Sequence, residues 1–311
     1  MTLLIDIRMP NWMEDADLKS VLQPMMVDVE ILTGPQRTPR PDVTMLATVQ
    51  MHADMAENLP GLQLVQKLGA GVETMLSNPN LPAKARVARL EPAVQAEEIA
   101  EYCLAAVLSH LRDFPRYFHQ QTRAEWIDVA PRRMAETSAL VLGLGHIGGE
   151  IARLLAANKV EVSGWSRSPK ALEGITTFHG KDGLLTALGQ ADFVIGILPS
   201  TPETHGLINA ETLAAMKPGA VIINAGRGDL IDDDALLQAL ETGHLGGAFL
   251  DVFNTEPLPS NHAFWAHPKV QITPHVSGFS IEDAIPDIAE NYRRLMAGDP
   301  LLREIDREKG Y

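Results

Sequence analysis

Short apolar runs closed by polar or glycine-rich turns recur along the chain, alternating with stretches whose apolar positions fall three or four apart. In the first third the runs are Leu3 to Ile7, Val27 to Leu32, Met45 to Val49, Leu62 to Leu68 and Val87 to Leu90, with helical stretches between. This is the pattern of an α/β unit. Pro35-Gln36-Arg37-Thr38-Pro39-Arg40-Pro41 interrupts it and reads as a loop, because proline lacks the N–H that a helix or central strand would use. From Glu97 to about Gln120 the spacing predicts one long helix, with Ile99, Cys103, Ala106, Val107 and His110 on one face. A second segment then supplies strand candidates at Ser138 to Gly143, Val160 to Trp165, Phe193 to Leu198, Ala220 to Ala225, Gly247 to Val252 and Val270 to Thr273. Amphipathic helices between them, beginning with Glu150 to Ala157, predict a parallel sheet covered on both faces. A last helix, Ile281 to Ala297, carries Ile285, Ile288, Ala289, Tyr292 and Leu295 as an apolar stripe and is expected to return to the first domain.

At 311 residues the chain exceeds the size of one typical core, so two domains are expected. The net charge of −14 leaves no basic face for nucleic acid or anionic lipid. If the substrate is itself an acid, local arginine and backbone N–H groups must overcome that field. The single cysteine, Cys103, lies in the apolar stretch Ile99 to Leu108 and reads as a core residue. No long apolar run suggests a membrane span, and MTLLIDIRMPNW is too short and too acidic for a signal peptide. The expected location is the cytoplasm.

The run Ser138 to Leu142 feeds Gly143-Leu144-Gly145-His146-Ile147-Gly148 and then a helix. In that strand-to-helix context the three glycines serve a tight turn, a close approach to a pyrophosphate and helix–strand packing. The next strand ends at Ser166-Arg167-Ser168, where an NAD site presents a carboxylate to the ribose. Hydroxyls and a planar guanidinium stand there instead, which favours NADP(H) over NAD(H), with Lys170 as a further phosphate contact.

Three chemistry-bearing residues follow, each at the end of a predicted strand, where open α/β sheets bind ligands. Arg227 stands between Gly226 and Gly228, Glu256 precedes Pro257, and His275 follows Thr273-Pro274. Singly they read as a loop ion pair, a solvated carboxylate and a structural histidine. Together they describe a reductase: a glutamate beside a histidine favours the imidazolium as a general acid, and an arginine holds a carboxylate and polarises a carbonyl. None of these motifs calls for a metal.

The order LGLGHIGGEIA, WSRS, LPSTPETHGLIN, NAGRGDLID, LDVFNTEPLP and ITPHVSG resembles the D-isomer-specific 2-hydroxyacid dehydrogenases over nearly the whole second domain. The serine-arginine pair, LGAGVE at Leu68 to Glu73 and the closing DREKGY are most similar to the family's glyoxylate- and hydroxypyruvate-reducing members. The resemblance implies an α/β fold: a Rossmann-type doubly wound NADP-binding domain over 99–276, and a smaller flavodoxin-like substrate domain over 1–98 and 277–311. It implies reduction of a small 2-keto acid to a D-2-hydroxy acid, with Arg227 binding substrate, Glu256 supporting the histidine and His275 donating the proton. By the same resemblance, N–H groups around Ala70 and Gly71 bind the substrate carboxylate. Leu198, Pro199, Pro202 and Ala225 line the cofactor cleft, Asp251 lies near the nicotinamide, and the chain forms a homodimer through its nucleotide-binding domains. Two departures stand out: Gly226 beside the arginine, and a loop Thr48-Val49-Gln50-Met51-His52 lacking an expected aromatic residue. A same-fold dehydrogenase for a bulkier 2-keto acid and a nucleotide-sensing corepressor-like protein are the alternatives.

Overall fold

The apolar runs of the first third become five parallel strands: β1 (Thr2–Ile5), β2 (Glu30–Thr33), β3 (Val43–Thr48), β4 (Leu64–Lys67) and β5 (Arg86–Arg89). The computed structural model describes residues 2–10 and 12–307, so Glu308 to Tyr311 of the closing DREKGY lie outside the described residues. The strand order is β2-β1-β3-β4-β5, the flavodoxin-like arrangement. Central strands β1, β3 and β4 are buried along their whole length, as a parallel sheet covered on both faces requires. One cover is α1 (Asp15–Leu22), while α2 (Ala53–Asn58) and α3 (Glu73–Leu76) place Met55 and Met75 against Leu4, Leu46 and Val65 on the other.

The remaining helices are α4 (Ala93–Leu111), α5 (Phe114–Thr122), α6 (His146–Ala157), α7 (Gly180–Leu188), α8 (Ala210–Ala215), α9 (Asp233–Glu241) and α10 (Ile285–Ala297). The α10 stripe packs beside α1, with Ile285, Ile288 and Tyr292 joining Leu18, Leu22 and Leu3 in one core. The chain thus forms two compact units, residues 1–95 with 280–311 and residues 96–279.

In the second unit a seven-stranded parallel sheet runs β12-β11-β10-β9-β6-β7-β8. Its strands are β6 (Ser138–Leu142), β7 (Glu161–Ser166), β8 (Thr176–His179), β9 (Phe193–Gly196), β10 (Val221–Asn224), β11 (Gly247–Leu250) and β12 (Val270–Ile272). Cys103 of α4 and Ile151 and Leu155 of α6 pack against Val141, Ile195 and Ile223 on one face. On the other, Leu188, Leu213 and Leu236 of α7 to α9 pack against Leu140, Val194 and Ile222. Among the described residues no helix is long and apolar enough to cross a membrane, and no cluster of His, Cys, Asp or Glu could hold a metal ion.

Several expectations need correction. The single helix over 97–120 is two, because Asp113 enters the left-handed region at φ 55° and Pro115 cannot donate within the turn that would bridge them. Helix α6 begins at His146 rather than Glu150, taking Gly148 and Gly149 into its first turns. Strand β8 was not expected; it is a half-exposed edge strand with no apolar run. The second unit is three residues wider at each end than 99–276. The Glu98 carboxylate accepts from the Phe279 N–H at 2.7 Å, which ties both ends into that unit.

Candidate active site

Loops leaving β6, β9, β10 and β11 converge at the carboxyl edge of the seven-stranded sheet, beside the point between β6 and β9 where the strand order reverses. The first is the glycine loop. Gly143 turns at φ 106°, and a Cβ on Gly148 would lie 1.7 Å from the Gly143 carbonyl oxygen, so only glycine lets α6 begin this close to β6. Gly145 caps α6 with open space around its Cβ position, and Gly145 and His146 are exposed while Ile147 is half-buried. The helix therefore presents its positive N-terminal end to an approachable surface. At the end of β7 the Ser166 hydroxyl donates to the Ser168 carbonyl at 2.8 Å, and Arg167 is exposed. The Lys170 ammonium is hydrogen-bonded to the Leu144 carbonyl, joining this turn to the glycine loop.

The loop after β9 packs buried Leu198 against the Gly143 position, with Pro199 and Pro202 exposed. Thr204 closes it by donating to the Pro199 carbonyl at 2.6 Å. Asp229 then links it to the arginine loop by accepting from the Ser200 hydroxyl and pairing with His205 at 3.5 Å.

Arg227 is set by Asn224, the last residue of β10. Its amide donates to the Arg227 carbonyl at 2.9 Å, and its oxygen accepts from the Gly226 N–H at 3.2 Å, so one side chain staples the turn. Ala225 is buried within that turn, and the Arg227 Nη1 donates to the Gly226 carbonyl at 2.6 Å. A Cβ on Gly226 would stand 3.0 Å from Ile197 Cα, and one on Gly228 only 1.9 Å from the Phe253 carbonyl carbon. Glycine on both sides is therefore what lets the arginine loop lie against the loops after β9 and β11.

Glu256 and His275 meet directly: Nδ1 lies 2.7 Å from Oε2, and Oε1 accepts from the Phe253 N–H at 2.9 Å. Burial would raise the Glu256 carboxyl, but the His275 hydrogen bond, the Phe253 N–H and the charges of His275 and Arg227 outweigh it and hold it below its usual value. The carboxylate thus fixes Nδ1 and leaves Nε2 as the nitrogen that can exchange a proton. The His275 backbone has φ 56°, a left-handed conformation that costs a side-chain-bearing residue roughly 1–2 kcal/mol. Asp251, fully buried, holds the surrounding turn: its carboxylate accepts from Thr273 Oγ1 at 2.6 Å and from the N–H groups of Val276 and Ser277, each at 2.9 Å.

In the first unit, β4 ends in a turn whose carbonyls are all engaged. Leu68 O accepts from the Lys67 ammonium at 3.3 Å, Gly69 O from the Leu90 N–H at 3.3 Å, and Ala70 O from the Arg89 guanidinium at 3.5 Å. Among the described residues no hydrogen bond uses the N–H of Ala70 or Gly71. Because C=O and N–H lie on opposite sides of a planar peptide, fixing these carbonyls also fixes where the following N–H groups point. In the same unit Gln50 is exposed, Met51 is buried and the Met51 carbonyl accepts from the Asn78 amide at 2.8 Å.

The model of the D-isomer specific 2-hydroxyacid dehydrogenase NAD binding domain matches residues 104–277, more than half of the chain. The chain belongs to this family. It is 39% identical over 264 residues to a glyoxylate/hydroxypyruvate reductase A of Serratia proteamaculans, covering 83% of this chain and 84% of that protein. A family member from Xanthobacter autotrophicus, crystallised with NADPH and MES, superposes with a TM-score of 0.90 at 38% identity, over 100% of this chain and 99% of that one. The NADPH-dependent glyoxylate/hydroxypyruvate reductase of Sinorhizobium meliloti, solved with NADP and sulfate, gives a TM-score of 0.90 at 31% identity over the same shares.

Within this family member, the residue-by-residue reading missed the polar side chains that hold the site together. Asn224 and Asp229 flank the Arg227 motif, and their nearness to it is the signal that could have found them. Thr273 sits two residues before His275, whereas Tyr102, 2.9 Å from the Thr273 hydroxyl, is 171 positions away and left no local trace.

Proposed function

We propose that this oxidoreductase reduces a small 2-keto acid, of the glyoxylate or hydroxypyruvate kind, to the D-2-hydroxy acid with NADPH. The observation that carries the reading is the 2.7 Å contact between His275 and Glu256, with Arg227 on the adjoining loop and a nucleotide-type glycine loop on the same sheet edge. When bound, the nicotinamide cofactor supplies the hydride. The N-terminal end of α6 at Gly145 and His146 takes the pyrophosphate. Arg167 takes the 2′-phosphate with its planar guanidinium, helped by Ser166, Ser168 and Lys170, and Ser166-Arg167-Ser168 stands where an NAD site presents its ribose-binding carboxylate. Relatives described with NADPH or NADP support that choice. Leu198, Pro199, Pro202 and Ala225 border the cofactor.

Arg227 binds the substrate and polarises its keto oxygen as negative charge develops; within the first unit, the N–H groups of Ala70 and Gly71 are the carboxylate-binding groups that the family resemblance implies. His275 delivers its proton from Nε2, while Glu256 stabilises the imidazolium from Nδ1. The test is a panel of 2-keto acids assayed with NADPH and NADH, including phenylpyruvate and a branched keto acid because the Thr48 to His52 loop lacks an aromatic residue. NADPH oxidation with glyoxylate or hydroxypyruvate is expected. Tight NADPH binding with no turnover on any keto acid would overturn the reading in favour of a nucleotide-sensing protein.

We further infer a homodimer formed through the nucleotide-binding unit. Its support is a run of exposed apolar side chains on α5 and the segment after it: Phe118 at 60%, Trp126 at 97% and Ile127 at 50% exposure. The Phe114 and Phe118 rings also lie together, with centroids 6.0 Å apart, so this segment offers an apolar surface for a partner to cover. Light scattering should give twice the chain mass for the wild type and a monomer for Trp126→Glu/Phe118→Glu; a wild-type monomer removes the proposal.

A further inference from the structure

The left-handed backbone at His275 has to be held by its neighbours, and the hydrogen bonds that hold it end in one hydroxyl on a distant helix. The Asp251 carbonyl accepts from the His275 N–H at 2.8 Å, and the Asp251 carboxylate takes the next two N–H groups and the Thr273 hydroxyl. A threonine hydroxyl has a single hydrogen. Thr273 Oγ1 commits it to Asp251, so the Tyr102 hydroxyl, 2.9 Å from the same oxygen, is the donor to Thr273. Burial pushes the Tyr102 phenol well above its usual range, which keeps that donor protonated at any working pH. Two hydroxyls therefore point one way, from α4 through Thr273 into a fully buried carboxylate. In such a chain each donor polarises the next, and removing the first weakens the bond that the second makes.

We propose that Tyr102 and Thr273 are positioning residues for His275, acting through Asp251. This rests on the reading of His275 as the proton donor. Neither hydroxyl touches the reacting atoms in this assignment: they restrain the carboxylate, the carboxylate restrains the Val276 and Ser277 peptides, and those peptides keep the imidazole in place against Glu256. Tyr102 is hydrogen-bonded toward this turn through Thr273, so the effects of the two substitutions are expected to overlap rather than multiply.

The experiment compares full-length Tyr102→Phe, Thr273→Val, Thr273→Ser and the Tyr102→Phe/Thr273→Val double variant. It measures kcat and KM for the 2-keto acid, NADPH affinity by fluorescence, and hydrogen exchange of the Val276 and Ser277 amides. Thr273→Val should lower kcat about ten- to a hundredfold and Tyr102→Phe about three- to tenfold, with KM and NADPH affinity within about twofold. Thr273→Ser should restore most of the loss, and the double variant should be no worse than Thr273→Val alone. Exchange at Val276 and Ser277 should quicken in both single variants. Wild-type kcat and exchange in Tyr102→Phe, or losses that multiply in the double variant, would overturn the proposal. If Thr273→Val fails to fold, Tyr102→Phe decides alone, since it removes one oxygen and leaves the ring. A wild type inactive on every keto acid refutes the functional reading instead, and the exchange measurement still judges the hydrogen-bond chain.

Discussion

Replacing Gly228 with alanine should separate the loops that carry Arg227 and Glu256. The added Cβ would stand 1.9 Å from the Phe253 carbonyl carbon, 2.2 Å from its oxygen and 2.4 Å from the Asn254 nitrogen, whereas ordinary contact begins at 3.4 Å. All three are backbone atoms, so no side chain can swing aside and one loop must move by roughly 1.5 Å. The Phe253 N–H donates to Glu256 Oε1 at 2.9 Å, so the movement reaches Glu256 and, through its 2.7 Å contact, His275. A misplacement of about 1 Å at a reacting group costs on the order of a hundredfold in rate, which is the expected fall in kcat. Overpacking should also cost about 1–3 kcal/mol of stability. In a domain of this size that is about 2–4 °C in Tm per kcal/mol. Saturating kinetics, calorimetry and an NADPH fluorescence titration measure the three quantities. A folded Gly228→Ala variant that binds NADPH normally and turns over within twofold of wild type refutes the spacing argument.

His275→Asn should lower turnover by about 10² to 10⁴, the usual worth of a general acid, while NADPH affinity stays unchanged; retained turnover would remove His275 from the chemistry. Arg167→Ala should abolish the preference for NADPH and spare turnover with NADH, and an equal loss with both cofactors would deny the phosphate contact. Glu256 has a folded-state carboxyl held below its usual value, so the stability it contributes is complete above the unfolded carboxylate range and is lost as pH falls through the folded value. Urea midpoints measured between about pH 6 and pH 3 should therefore fall less steeply for Glu256→Gln than for wild type, and identical slopes would contradict that sign.

Buried parallel strands leave a near-continuous apolar signature, and for that reason β9, β10 and β11 were legible from composition alone. Edge strand β8, with Thr176, Thr177 and His179 half in solvent, carries no such signature. The break at Asp113 was equally hidden, since its cause is a backbone conformation rather than a change in hydrophobic period. In the site, Gly143 to Gly148 stood out by their spacing between a strand and a helix, and Arg227, Glu256 and His275 because each follows a strand and carries a reactive group in its own side chain. Asn224, Asp229, Thr273 and Tyr102 act by holding something else, and what a hydroxyl or amide holds is decided by residues far along the chain. The Thr48 to His52 loop stays without a specificity assignment for the same reason.

The turn at Leu68 to Gly71 has a thermodynamic consequence. Ordering the backbone of one residue costs about 1–2 kcal/mol, and a floppy loop would subtract that sum, several times over, from the affinity of whatever it closed upon. Here Lys67, Leu90 and Arg89 restrain the turn as the chain folds, so on the proposed assignment of the Ala70 and Gly71 N–H groups to the substrate carboxylate that entropy is already lost before binding. A large ligand can organise a loop with its many contacts, but glyoxylate, with two carbons, cannot. On that assignment, a turn ordered in advance spares so small an acid the cost of organising its own site.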